Sequence, residues 1–302
     1  MNRAQISRRR FAWIAGTAGV STCGFAAAEP LTAEAVVRRI QSELGGEWAP
    51  TGPDGFKAGN PSLVVKGIAT TAMATLSVLK QAAQSNTNLV LTYEPTFYSR
   101  ADGRVVESAG GRGPVGAGAD DTVVKAKRKF IEDNGLAVFR LRDHWQSRME
   151  LDMAAGLAAA LGWTAHRVKQ DDALYEIPPA TAEATVAWIR DKLQLRAGLR
   201  AVGDRKATIR RVLLFPGSMP AATMWQRYSE TDLIVTGEVR EWENTHFAAD
   251  LFTAGLKPAL VTTGRIASED PGMRVCAEWL KRVVKEVPAK WIAVGDPYWR
   301  PS

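Results

Sequence analysis

The stretch NLVLTYE at residues 88–94 recurs in altered form as DLIVTGE at residues 232–238. Each is a short apolar run, typical of a buried strand, that ends in Thr-x-Glu. Each run follows a predicted strand and an amphipathic helix, and each precedes another helix and a third strand. Strand composition alone can produce a chance match, but the shared order of elements favours an internal repeat.

The chain as a whole alternates predicted strands with amphipathic helices, which is typical of α/β layers. The predicted strands are 63–70, 88–92, 136–141, 209–215, 232–236, 258–263 and 291–294. The predicted helices are 72–84, 121–134, 149–161, 181–193, 245–254 and 273–287. We therefore expect an α/β fold of two pseudo-symmetric lobes around a central cleft. Residues 29–170 would form the first lobe, and residues 171–302 the second lobe of the same domain.

Polar residues follow the matched strands of both copies. Glu94 and Glu238 close the second strand of each copy. The third strands are followed by Arg142, Asp143 and His144 in the first copy, and by Arg265 and Glu269 in the second. Ligands of α/β sheets gather at the carboxyl ends of strands, so a cleft between the lobes could collect all of these residues. Asp143 could instead cap a helix, and Glu269 could lie in a helix's first turn.

The N-terminal residues have the pattern of an export signal. SRRRFAWIAGTAG at residues 7–19 is followed by a run of small and apolar residues to Ala28, without an acidic residue. The FAAAEP segment then offers a cleavage site after Ala28. This pattern predicts a twin-arginine signal peptide over residues 1–28 and a periplasmic or extracellular protein. The alternative, a membrane helix, is disfavoured because the apolar run is short and rich in Gly and Ala, so we expect no stable membrane span after processing.

Charge and cysteine content exclude several classes of protein. The chain carries 39 Lys and Arg against 32 Asp and Glu, a net charge of +7. Four of the arginines lie in the predicted signal, so the mature chain is close to +3, too weakly basic to indicate a nucleic-acid partner. The mature chain would keep only Cys276, which excludes a disulfide framework and a thiolate metal cluster.

Several stretches resemble one known family in their order along the chain. They include VKGIATTAMATLSVLKQAAQSNTNLVLTYEPTFY at 65–98, DLIVTGEV at 232–239, TTGRIASEDPGMRVCAEWLK at 262–281 and WIAVGDPYW at 291–299. The chain is similar in these stretches to the Nif-three-like family, hexameric proteins with a dinuclear metal centre. Some family members are called type 2 GTP cyclohydrolase I. The resemblance covers nearly all of the mature chain and implies the same fold.

The chain departs from the family pattern where the resemblance places metal ligands. Tyr93 and Glu94 stand where the family has paired histidines, and Gln146 lies near the position of a family aspartate. The family's Gly-His-x-x-x-Glu pattern begins at Gly264 and has Arg265 in place of histidine, while Glu269 is retained. A guanidinium carries a fixed positive charge and cannot act as a ligand, but it can pair with Glu94 or Glu269 in the cation's place.

The resemblance leaves open whether a metal is bound. The remaining candidate ligands, Glu94, Asp143, His144 and Glu269, form an oxygen-rich set that would suit one zinc, manganese or magnesium ion. With that ion, the expected protein is a metal-dependent hydrolase, of the cyclohydrolase or phosphoesterase kind. Glu94 and Glu269 would then be catalytic, and an anionic substrate would be bound by Tyr93, Arg142, Glu238 and Arg265. Without it, the expected protein is an inactive family member that binds a small anionic ligand or serves as a scaffold.

The resemblance also implies a homo-oligomer, most simply a hexamer. The chain contains ten tryptophans, and we expect most of them to lie in the core or at subunit interfaces. The expected partner is therefore a second copy of the chain.

The signal prediction has a direct test in the exporting cell. Mature protein should begin at Glu29. Replacing both Arg8 and Arg9 with Lys should retain the precursor in the cytoplasm, because the export machinery recognises the paired arginines. Cell fractionation and N-terminal sequencing measure both outcomes. Normal export of the double variant would contradict the prediction.

Overall fold

The computed structural model describes residues 30–49, 52–99, 102, 106–107, 114–115, 120–147, 153–168, 171, 173–195 and 199–299. The predicted signal peptide, residues 1–28, lies outside these residues. The chain divides into two units, Met1–Pro30 and Leu31–Ser302, and the fold described below is that of the second unit. Within the described part of the chain, no helix combines the length and the apolar character that crossing a membrane requires.

The first sheet has five strands, four of them parallel. In spatial order they are β1 (Gly55–Ala58), β6 (Ala137–Arg140), β3 (Leu89–Thr92), β2 (Ile68–Thr71) and β12 (Ala289–Trp291). Strand β1 is antiparallel to β6 at one edge, and the other pairings are parallel. Two further strands of two residues each, β4 (Val106–Glu107) and β5 (Pro114–Val115), pair only with each other.

The second sheet also has five strands. In spatial order they are β7 (Leu174–Thr181), β9 (Thr208–Ser218), β10 (Leu233–Glu238), β11 (Ala259–Thr262) and β8 (Arg200–Val202). The three central strands are parallel, and both edge strands are antiparallel to their neighbours.

The two sheets repeat one arrangement, as the matched sequence stretches predict. The order β2-β3-β6 in the first sheet corresponds to β9-β10-β11 in the second, and all six strands are parallel within their sheets. In each copy the strand that precedes the repeat, β1 or β8, pairs antiparallel with the third strand. The predicted two-lobed α/β architecture is confirmed. The lobe boundary at residue 170 stays a prediction, and β12 shows that the first sheet recruits a strand from the end of the chain.

Helices cover the faces of both sheets. They are α1 (Ala33–Leu44), α2 (Leu76–Gln84), α3 (Thr122–Asp133), α4 (Asp143–Gln146), α5 (Met153–Leu161), α6 (Ala182–Lys192), α7 (Ala221–Arg227), α8 (His246–Thr253) and α9 (Arg265–Val283). Four of them begin at a residue whose side-chain oxygen accepts a backbone N–H of the first turn: Thr32, Thr75, Asp121 and Thr181. Such caps satisfy amides that have no partner within the helix.

Apolar residues on both faces of each sheet form the core. Along β3, Leu89 and Leu91 face one cluster, which includes Trp145 and Trp279, while Val90 faces the opposite cluster. The strands of the second sheet alternate in the same way, with Val235 and Ile234 in different clusters. Burying both faces explains why the parallel strands are continuous apolar runs in the sequence.

Helix α9 differs from its prediction, which began at residue 273. It begins at Arg265, directly after β11, and continues through Pro271. Proline lacks the N–H that would bond the preceding turn, so it normally ends or kinks a helix. Here the backbone of Pro271 and Gly272 lies against Gly156 of α5, where a Cβ would come 2.4 Å from the Cα of Gly272. This close packing accommodates the irregular turn and places Arg265 and Glu269 one turn apart on the same helix.

The strand predicted at 63–70 was also too long. Residues 63–67 lie before β2 and pair with the chain around the start of α1. The carbonyl oxygen of Leu63 accepts the N–H of Ala33, and the N–H of Val65 donates to the carbonyl oxygen of Leu31. Among the described elements, sequence patterns missed α1, α4, α7, β1, β4, β5, β7 and β8.

Candidate functional site

A cleft of about 1440 Å³ lies at the carboxyl ends of the central strands of both sheets. Its first wall includes Glu94, Pro95 and Tyr98 after β3, and Arg140 and Arg142 at and after the end of β6. Its second wall includes Gly237, Glu238, Thr262, Thr263, Gly264 and Arg265, at the ends of β10 and β11. The repeat therefore brings its two Thr-x-Glu corners to one cleft.

The side chain of Arg265 joins three carboxylates at this cleft. Its Nη2 donates to Glu94 Oε1 at 2.7 Å, and its Nη1 donates to Glu238 Oε1 at 2.9 Å. Its Nε lies 3.3 Å from Glu269 Oε1, without hydrogen-bond alignment. Because Glu94 belongs to the first lobe and the other residues to the second, one guanidinium connects the two walls. We call these four residues the Arg265 cluster.

Local backbone geometry fixes the members of the Arg265 cluster. Glu94 is held where β3 ends, because its N–H donates to the carbonyl of Ala72 at 2.7 Å. Two glycines make room for the second wall: a Cβ on Gly217 would come 2.7 Å from Glu269 Oε1, and one on Gly237 would come 2.5 Å from Ser268 Oγ. Gly264, with φ of +93°, turns the chain from β11 into α9.

Glu269 is the most buried carboxylate of the Arg265 cluster, with 2% of its side chain exposed. The pKa of Glu269 is raised from 4.5 to about 9, first by burial and then by the charge of Glu94, and Arg265 offsets these causes only in part. Glu269 Oε2 has no hydrogen-bond partner. Burial alone would lower the pKa of Arg265, but the carboxylates around it hold that pKa above its ordinary value. Glu269 therefore keeps its proton at neutral pH.

Tyr93 and Arg142, both predicted to bind substrate, lie against each other. Tyr93 is 4% exposed, and its hydroxyl donates to Gln146 Oε1 at 2.9 Å. Burial raises the pKa of the Tyr93 hydroxyl. The Arg142 guanidinium lies over the Tyr93 ring at 5.3 Å and bonds Asp143 at 3.0 Å. Arg142 lines the cleft, whereas Tyr93 packs behind its wall.

His144 belongs to a separate arrangement that the sequence did not reveal. Its Nδ1 lies 2.7 Å from Asp54 Oδ2, and its Nε2 lies 3.1 Å from the carbonyl oxygen of Glu47. Its ring stacks on Trp48 with the two centroids 3.5 Å apart. Asp54 also accepts the backbone N–H groups of Arg142, Asp143 and His144. Asp54 therefore caps α4 and positions Arg142, although it lies almost 90 residues earlier in the chain.

The four predicted metal ligands do not come together. Glu94 and Glu269 meet around Arg265, while Asp143 bonds Arg142 and His144 bonds Asp54. In the described ranges, no group of three or more His, Cys, Asp or Glu side chains is arranged to hold a metal ion. The dinuclear centre that the family resemblance implies does not fit these residues, because a guanidinium already occupies the bonding positions of the converging carboxylates.

Comparisons with known proteins find a family model that matches part of the chain and solved structures with a similar fold. The Duf34/NIF3 (NGG1p interacting factor 3) family model matches residues 149–295. The hypothetical protein SA1388 of Staphylococcus aureus is 15% identical over 90% of this chain and 100% of its own, with a TM-score of 0.65. A Bacillus cereus protein related to NIF3 is 13% identical over 90% of this chain and 99% of its own, with a TM-score of 0.65.

Protein ybgI, described as of unknown function, is 19% identical over 88% of this chain and 100% of its own, with a TM-score of 0.66. Identities this low establish a shared fold and leave function to be argued from the site. No curated protein matches the chain.

The protonated state of Glu269 predicts a pH dependence of stability. The folded protein binds a proton that the unfolded chain releases above pH 4.5, so this contribution falls as the pH rises from about 4.5 to about 9. The slope has an upper limit of about 1.4 kcal/mol per pH unit. Glu269→Gln should flatten the pH dependence of the urea unfolding free energy between pH 6 and 8. Glu278→Gln, at an exposed position of α9, is the control. Equal slopes for wild type and Glu269→Gln would contradict the assignment.

Proposed function

We propose, for a chain that is Nif-three-like in its family match and its fold, that the cleft binds a small anionic ligand without a resident metal ion. In this proposal the guanidinium of Arg265 takes the place of the family's metal centre. The observation that carries it is the set of contacts from Arg265 to Glu94, Glu238 and Glu269, at 2.7, 2.9 and 3.3 Å.

Charge supports a cleft without metal. A divalent ion about 4 Å from the Arg265 guanidinium would be repelled by about 8 kcal/mol at an effective dielectric constant of 20. The ion would also have to compete for carboxylate oxygens that already accept charge-assisted hydrogen bonds. Metal binding at this point therefore requires Arg265 to leave the carboxylates.

The positions of the two predicted catalytic carboxylates also favour ligand binding over catalysis. Glu94 is 8% exposed and its carboxylate is bonded to Arg265, while Glu269 lies behind Arg265 and is not part of the cleft wall. A general base must reach the proton that it abstracts. Neither carboxylate is free to do so while Arg265 is in place.

The second candidate is a metal-dependent hydrolase of the cyclohydrolase or phosphoesterase kind, with zinc, manganese or magnesium. One observation favours it: three carboxylates converge on the guanidinium of Arg265. About a third of the Arg265 side chain is exposed, so it could turn outward into the cleft. The number of metal ions bound per chain distinguishes the two candidates.

Metal analysis of protein purified after export tests the proposal. Wild type should contain far less than one metal ion per chain. Arg265→Ala leaves buried carboxylates unpaired and should lower the unfolding free energy by about 3 kcal/mol, because breaking a buried pair costs about that much. Manganese or zinc should partly restore the stability of Arg265→Ala, and Arg265→His should take up metal.

Arg282→His, at an exposed position of the same helix, is the matched control and should take up no metal. Wild type that keeps one or two ions per chain and loses them on Glu94→Ala would support the hydrolase and overturn the proposal.

We extend the proposal to location and assembly. The twin-arginine pattern supports export to the periplasm or the cell exterior, and the family resemblance supports a homohexamer. Large exposed aromatic side chains on the second lobe, including Trp225 at 53% and Trp242 at 73%, offer apolar surface for subunit contacts.

The assembly is tested by light scattering coupled to size exclusion at micromolar concentration. The expected mass is six times that of the mature chain. Trp242→Glu should shift the distribution toward smaller species, because it places a charge in an apolar contact, whereas Val123→Glu on the first lobe should shift it less. A monomeric mass for wild type would contradict the hexamer.

A further inference from the structure

Three of the cations that line the cleft already have acidic partners. Arg265 pairs with three carboxylates, Arg142 pairs with Asp143, and Arg200 pairs with Glu241. An anion that entered the cleft would have to compete with these carboxylates. Arg142 and Arg265, which the sequence indicates as anion-binding residues, are therefore poorly suited to bind one.

Arg274 differs from these residues. It lies on the cleft side of α9 with an exposed side chain, and its guanidinium carbon is 5.7 Å from the ring centroid of Trp291, which also lines the cleft. Among the residues that the structure describes, no carboxylate lies within ion-pair distance of Arg274. A guanidinium within cation–π distance of an indole can still direct N–H groups toward an oxyanion.

Asp270, one turn before Arg274, would be its natural partner on a helix. Its carboxylate is used elsewhere: Oδ1 accepts the Ala72 N–H at 3.2 Å and the Trp291 indole N–H at 3.4 Å, and Oδ2 accepts the Val294 N–H at 3.1 Å. Asp270 is 8% exposed. It thus fixes the orientation of Trp291 and leaves the charge of Arg274 unneutralised.

Two other cleft-lining cations have no ion pair in the described ranges. Arg140 is 4% exposed and its Nε donates to the carbonyl oxygen of Tyr93, so it is not open to a ligand. Lys192 lies 4.5 Å from the Trp188 ring centroid. It is the last residue of α6, and Trp188 is not part of the cleft wall. An ammonium at a helix end offers a point charge without the planar fork of a guanidinium. Arg274 is therefore better suited than Lys192 to bind an oxyanion.

We propose that Arg274, oriented by Trp291, is the anion-binding residue of the cleft and that the ligand carries an oxyanion, either phosphate or carboxylate. The inference rests on the ligand-binding function proposed above and identifies the chemistry of that ligand. Two parallel N–H···O bonds from a guanidinium match both oxyanions, so the residues define the shared chemistry and the probes must separate the two sources.

The experiment is a calorimetric titration of the full mature protein with phenyl phosphate and, separately, with benzoate. Wild type should bind at least one probe, and the tighter of the two identifies the oxyanion. Arg274→Gln should weaken that binding at least tenfold, as expected for the loss of a charge-assisted pair. The affinity of Arg274→Lys should lie between those of wild type and Arg274→Gln, because lysine keeps the positive charge but lacks the planar pair of N–H donors. Arg282→Gln, on α9 outside the cleft wall, should bind like wild type.

Trp291→Phe keeps an aromatic platform and should bind more tightly than Trp291→Leu; both should be compared only after thermal unfolding shows that they fold. Equal binding by wild type and Arg274→Gln would overturn the inference and leave the proposed function standing. Failure of wild type to bind either probe at millimolar concentration would also overturn it. The proposed function is tested separately, by metal content. Failure of the inference can therefore be distinguished from failure of the proposed function.

Discussion

The guanidinium of Arg265 connects the two lobes, and the arrangement of the cleft depends on it. It bonds Glu94 at the end of β3 and Glu238 at the end of β10, which are equivalent corners of the repeated unit. A third carboxylate, Glu269, lies one helical turn away and is almost fully buried. A single positive charge cannot balance three buried or half-buried carboxylates, so the most buried one keeps its proton. Three carboxylates around one guanidinium thus account for both the geometry and the protonation of the site.

The contacts of Arg265 also explain why the chain can share the fold and not the metal chemistry that the family resemblance implies. The fold is shared over most of the chain with proteins that are 13–19% identical, which leaves the reaction undetermined. At the corner where the family would bind metal, this chain has a fixed cation. In our proposal, an entering ligand meets the other cations of the cleft, and Arg274 beside Trp291 is a guanidinium that no described carboxylate approaches within ion-pair distance. In our proposal, the cleft is a ligand-binding site on the fold that this chain shares with those structures.

Sequence patterns predicted the central strands, because apolar runs that end abruptly are a local signal. The family resemblance placed a cation in a ligand position, and from it we expected Arg265 to pair with Glu94 or Glu269. They did not predict what depends on distant packing. Helix α9 continues through Pro271 because Gly156 packs against it. His144 leaves the predicted metal set because Asp54 and Trp48 hold it from another part of the chain. Arg274 was missed because its free charge is visible only once Asp270 is seen to bond three other N–H groups.

The most direct test of Arg265 as the cation of this site is anomalous diffraction from crystals of the mature protein grown with zinc, recorded above and below the zinc absorption edge. The account predicts no anomalous peak within bonding distance of Glu94, Glu238 or Glu269, and density for the Arg265 guanidinium between them. Arg265→His crystals grown in the same way should show a peak there. A strong peak in wild type, with Arg265 turned away from the carboxylates, would contradict the account.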